Sequence, residues 1–283
     1  MSPITATKDV NILRNSEDPV ALVNTARLFA ASDDPADQAV VSQYLGSKDF
    51  LDRLDPPDAY AYFRPHQLGA AGILKTLMDV DGPPQRQTLV GLTGRGAFNQ
   101  YDALIELLIK ALAYDKPASQ PTITYWEQYL DPESVYADHV VNAIFLNQTR
   151  PALDLFERTM ADPEQDTEYR LSWLHDGLLP KRNDTPVLEC CERMVIGGTI
   201  APDWRESVIE AVFDFQSGWY GSCRKPTPPL RVAAPDVSKD CLERLGRHAV
   251  YQMALFNPEL ELKVRMALRE IGRELDDGEK SNA

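Results

Sequence analysis

Apolar residues recur along this chain in short stripes at helical spacing, and each stripe is entered through a polar residue, often with a proline behind it. Asp18-Pro19 precedes Leu22, Ala26 and Phe29, and Asp34-Pro35 precedes Val40, Val41, Tyr44 and Leu45. An aspartate at the N-cap accepts a hydrogen bond from a free backbone N–H. A proline in the first turn forfeits only an N–H that has no helical partner. The device therefore marks helix starts. It is densest between residues 131 and 221. There Asp131-Pro132 leads into Tyr136, Val140, Val141, Ile144 and Phe145, and Pro151 leads into Leu153, Phe156 and Met160. Leu171, Leu174 and Leu178 share one face of a third stripe. A fourth, over 187–195, is entered through Asp184-Thr185-Pro186 and closed by Gly197-Gly198. Asp203 and Glu206 stand at capping-box spacing ahead of Val208, Ile209, Val212 and Phe213.

The rest of the chain reads more simply. Residues 1–15 lack a stripe and read as a flexible lead-in, and 276–283 as a polar tail. Short helical pieces are expected over 48–54 and 122–130, and longer helices over 66–80 and 101–114, the latter the most apolar in the chain. Gly82-Pro83-Pro84 reads as a loop. Residues 219–236 carry Pro226, Pro228, Pro229 and Pro235, which forbid continuous helix and predict a long loop. Two helices close the chain, over 241–256 and from Asn257-Pro258 onward. Residues 16–275 read as one helical domain.

Helices this short are marginal alone and must bury their stripe on a neighbour. Joined by such short breaks, consecutive helices are expected to pair antiparallel, and helix pairs of roughly 30–45 residues that stack in a row are the mark of an α-solenoid. In this patterning the chain resembles the HEAT-like repeat superfamily in a degenerate form, over about residues 60 to 220. The resemblance implies an all-α fold of stacked antiparallel helix pairs whose extended surface holds another protein or peptide.

Charge narrows the function. The formal net charge is −14, and no basic stripe interrupts it. Binding to nucleic acid draws on cations that displace counterions, and binding to anionic membranes on polybasic segments, so neither partner is expected. No apolar run approaches the ~18 residues of a spanning helix, and residues 1–10 lack the basic head and apolar core of a secretory signal. The four cysteines, Cys190, Cys191, Cys223 and Cys241, form no C-x-x-C pair. A reduced, cytoplasmic protein is the expectation.

Candidate chemistry is sparse. The segment Gly91-Leu92-Thr93-Gly94-Arg95-Gly96 matches neither the phosphate-loop nor the dinucleotide fingerprint and reads as an inter-helix turn. The histidines, His66, His139, His175 and His248, are scattered, and no nucleophile elbow occurs, so no metal, cofactor or catalytic set is expected. Tryptophans near the openings of successive units are the residues to follow, because a large apolar body with one N–H donor suits a binding hot spot. The candidate binding residues are Trp173 and Trp204, together with Trp219, Tyr220, Arg224, Lys225 and Arg231 on the proline-rich loop, where cations collect on an acidic molecule. The expected function is a non-catalytic scaffold or adaptor for a protein or peptide. The alternatives are an enzyme or small-ligand protein with a pocket near 219–236, and an acidic inhibitor or immunity-type protein for a basic partner.

Overall fold

The computed structural model describes residues 7–62, 64–131, 133–164, 167–213, 235–254 and 256–275. Among them every regular element is helical, with sixteen α-helices and no strand. The expected all-α class is therefore observed. No helix among the described residues is long and apolar enough to cross a membrane. The contacts divide the chain into two compact units, Met1–Leu130 and Asp131–Ala283.

The first unit holds α1 (Val10–Asn15), α2 (Pro19–Ala30), α3 (Pro35–Leu45), α4 (Lys48–Leu54), α5 (Pro57–Ala61), α6 (Gly69–Asp79), α7 (Pro83–Leu92), α8 (Asp102–Leu112) and α9 (Gln120–Glu127). The capping device works as its residue types require. Asp18 Oδ1 accepts from the Val20 amide at 3.0 Å and Asp34 Oδ1 from the Ala36 amide at 2.9 Å. Helix α2 packs on α3 and α6, α3 packs on α7, and α6 on α7 and α8. Eight of the eleven residues of α8 are buried, which makes it the central helix of this unit. Trp126 is buried and donates its Nε1–H to the carbonyl of Ile109 at 3.4 Å, tying α9 to α8.

Three elements here differ from the sequence reading. The lead-in contains α1, because Asp9 caps it through the Asn11 amide and Leu13 is fully buried. The expected loop at Gly82-Pro83-Pro84 is the start of α7. Gly82 is its N-cap and the two prolines occupy the first turn, where they cost no hydrogen bond. The helix expected over 66–80 is a 3₁₀ turn at Pro65–Gln67 followed by α6, whose start is set by a carboxylate from elsewhere in the chain, Asp55.

The second unit holds α10 (Ala137–Asn147), α11 (Arg150–Ala161), α12 (Thr167–Trp173), α13 (Thr185–Val195), α14 (Pro202–Phe213), α15 (Asp236–Gln252) and α16 (Pro258–Glu270). Helix α12 runs directly into a π-helical turn, Leu174–Leu178, and then a 3₁₀ turn, Leu179–Lys181. Asp131 does not open α10. Its Oδ1 accepts from the Glu133 amide in a turn, and the helix starts at Ala137. Likewise α14 starts at Pro202, so Asp203 lies inside its first turn instead of capping it. Packing runs along the chain order. Helix α10 touches α11 and the π turn, α11 touches α13, and the π turn touches α14. Helix α13 touches α14 and α15, and α16 packs on α14 and α15. The expected proline-rich loop at 219–236 and the tail at 276–283 lie mostly or wholly outside the described residues.

Candidate functional site

Of the tryptophans singled out by sequence, Trp173 is buried and Trp204 is half-buried. Trp219, Tyr220, Arg224, Lys225 and Arg231 lie outside the described residues. The structure joins Trp204 to a residue the sequence did not flag, Arg170, which lies one helical turn before Trp173.

The joining begins with local geometry. Arg170 and Trp173 are three residues apart on α12 and so share a face. The π turn that follows is pressed against α10: a Cβ on Gly177 would sit 2.6 Å from Val141 Cγ1 and 2.8 Å from Phe145 Cδ2. Only glycine permits that approach. Trp204 enters from the first turn of α14. Its ring centroid is 4.8 Å from the Arg170 guanidinium carbon.

This arrangement is unusual electrostatically. Arg170 is 4 % exposed, and its Nε and Nη2 are buried without a hydrogen-bond acceptor. Trp173 Nε1 is buried in the same condition. Stacking on an indole face is worth about 2 kcal/mol for a desolvated cation, but it leaves the in-plane N–H donors untouched. A buried guanidinium cannot deprotonate, and an unpaired buried ion costs several kcal/mol. The neighbouring arginines show what this unit ordinarily does. Arg193 lies 3.0 Å from Glu157 and 3.4 Å from Asp154, and Arg244 grips Glu192 with both Nε (2.6 Å) and Nη2 (3.1 Å). Arg265 pairs with Glu261 at 3.0 Å and Arg273 with Asp240 at 2.6 Å. Arg170 has no such partner among the described residues. Chemically the cluster is a set of donors facing inward with an aromatic wall, which suits a planar anion.

A second polar cluster lies in the first unit and is satisfied. The buried Asp55 carboxylate accepts from the Gly69 amide (2.6 Å) and the Ala70 amide (3.2 Å), with the Tyr60 hydroxyl 3.3 Å away. Burial raises the Asp55 pKa above the ordinary carboxylate value, against the opposite pull of those donors. Tyr60 stacks on Tyr101 at 4.4 Å, and the Tyr101 hydroxyl donates to Asp52 at 3.0 Å. A hydrogen bond from Lys48 holds Asp52 below the ordinary carboxylate range. This network holds the start of α6 in place.

The same unit carries a cleft of about 510 Å³ with an apolar floor including Leu77 and Leu89, and with Arg86, Tyr114 and Lys116 at its walls. Arg86 already faces carboxylates, Asp81 at 3.8 Å and Asp115 at 4.0 Å. Cys190, Cys191 and Cys241 are free and buried. Burial pushes the Cys190 thiol up to about 12 and the Cys241 thiol up to about 11. Neither is a ready nucleophile. Among the described residues no group of three or more His, Cys, Asp or Glu side chains could hold a metal ion.

Comparison with protein-family models, with curated proteins and with solved structures finds no match.

Sequence reasoning found the two tryptophans through their position near helix openings. It missed Arg170 because an arginine beside an apolar stripe ordinarily points its charge to solvent, and no local signal marks one that does not. It did not single out Asp55, since the amides it caps lie fourteen and fifteen residues further on.

Proposed function

We propose that the protein is a non-catalytic scaffold that binds a protein or peptide on the surface of a HEAT-like stack of antiparallel helix pairs. Two features support the stack. In the second unit helices touch mainly the next element and the next but one, the nearest-neighbour pattern of a one-dimensional repeat array. In the first, α2 and α3 pack on α6 and α7 member by member. The three buried free thiols fit a reducing, intracellular setting.

The observation that carries the binding role is the Arg170–Trp204 stack. Arginine and tryptophan are the residue types that dominate binding hot spots, and here a half-buried tryptophan lies against an arginine whose donors are unspent. Selecting a random peptide library on the immobilised protein tests the reading. Enriched sequences are expected to share a motif and to lose binding to Trp204→Ala, with the helical circular dichroism unchanged. Failure to enrich any motif, or binding indifferent to Trp204→Ala, would count against it.

A further inference from the structure

The geometry points to a single carboxylate of a bound polypeptide as the group that Arg170 receives, with Trp204 packing against the apolar part of the residue that carries it. This rests on the binding role proposed above and names its chemistry.

Arg170 presents Nε and Nη2, the edge of the guanidinium that matches a carboxylate with two parallel hydrogen bonds, and both are buried without a protein acceptor. The protein is not short of acceptors. It carries 43 acidic residues against 29 lysines and arginines. Seven arginines of the second unit, Arg150, Arg193, Arg244, Arg247, Arg265, Arg269 and Arg273, have a carboxylate within 4.0 Å. Arg170 lacks one among the described residues, even though Asp203 and Glu206 stand on the very helix that supplies Trp204. A second arginine on that helix, half-buried Arg205, donates to the carbonyl of Ile200 at 3.3 Å. The first turn of α14 adds the positive end of its own dipole. The Arg170 cation therefore stands without a carboxylate partner among the described residues of a strongly negative chain.

An anion from outside resolves the mismatch, and its charge is limited. At −14 the protein repels polyanions, and a phosphate monoester near two negative charges feels that field about twice as strongly as a carboxylate. A monoanionic carboxylate next to an apolar group gains the fork and the indole wall at the smallest repulsion. Trp204 is the half-buried member of the cluster.

The test uses the full chain labelled with ¹⁵N at its four tryptophan indoles, with Trp173 and Trp204 assigned by Trp→Phe variants. The probes are N-acetyl-phenylalanine, its C-terminal amide, and inorganic phosphate. N-acetyl-phenylalanine is expected to shift the Trp204 and Trp173 signals saturably in the millimolar range, while the amide leaves them in place. Arg170→Met is expected to weaken the probe roughly tenfold or more, and Arg170→Lys, which keeps the charge and loses the fork, to weaken it less. Arg170→Met is also expected to raise the melting temperature by about 3–6 °C, because an uncompensated buried cation is removed. Equal shifts from acid and amide, no shift from either, or tighter binding of phosphate would each overturn the assignment. So would an Arg170→Met protein that melts lower or fails to fold, since Arg170 would then be structural. If the probe fails while library peptides still depend on Trp204, only the carboxylate is lost. If the probe binds but no peptide depends on Trp204, the anion site stands and the scaffold reading falls.

Discussion

Asp55 and Arg170 are both buried charges, one in each unit, and they are treated in opposite ways. Asp55 is surrounded by donors: two backbone amides at the start of α6, and the Tyr60 hydroxyl within reach. Arg170 meets the face of an indole and no acceptor for Nε or Nη2. A buried charge that organises a fold is matched by groups the fold itself supplies, because removing one partner of such a set strands the others. A buried charge left unmatched is a cost to stability, and such costs collect at functional sites. On the proposal above, the contrast sets a structural ion against a binding one.

Substitutions at these residues test the difference, and the largest effect is expected at Asp55. Asp55→Ala leaves the Gly69 and Ala70 amides and the Tyr60 hydroxyl without their carboxylate, and should lower the unfolding free energy by about 3 kcal/mol or more in urea titrations. Asp55→Asn, which keeps one acceptor oxygen, should lose less. A loss for Asp55→Ala as small as that of a surface substitution would remove the distinction. Arg170→Met should move the other way, gaining about 1–3 kcal/mol in the same titration.

A smaller effect concerns pH. Burial raises the folded-state pKa of Asp55 above its unfolded value near 3.8. The folded state therefore holds the proton more tightly, so this contribution is fully present below the unfolded pKa and is lost as pH rises through the folded one. The stability gap between the native chain and Asp55→Asn should narrow as pH rises from below the unfolded value of 3.8 through the higher folded one. A gap that widens would mean that the amide donors outweigh burial. Asp52, lowered by the Lys48 hydrogen bond, has the opposite sign: its contribution is present above the unfolded pKa and lost as pH falls through the folded one.

The smallest effect is kinetic. With Cys223 replaced by serine, alkylation by iodoacetamide at about pH 8 should proceed only as fast as the protein unfolds, because the thiols at 190, 191 and 241 stay buried and protonated there. Rapid labelling of the folded state would show that one of these thiols is accessible as thiolate.

Much of the fold was legible one helix at a time. The Asp-Pro entries at 18–19 and 34–35 and the Asn-Pro entry at 257–258 cap the helices they announced, since cap and first turn are contacts between residues two apart. The apolar run of α8 marked the helix that is buried nearly all round. The device misled at Asp131 and Asp203, where the same residue types close a turn or lie within the first helical turn, and it missed α1 and α7. Of the site, Trp173 and Trp204 were legible as candidates and Arg170 was not.

The all-helical character and the starts of the helices with a true Asp-Pro or Asn-Pro cap are local properties, because periodicity and capping act over one or two turns of chain. Which charges go inside, and what they meet there, is a property of the packed fold. That depends on which helix lies against which, as when Gly177 lets the π turn close on α10 and α14 sets Trp204 over Arg170. A side chain's surroundings are set by residues tens of positions away, and no local pattern encodes them.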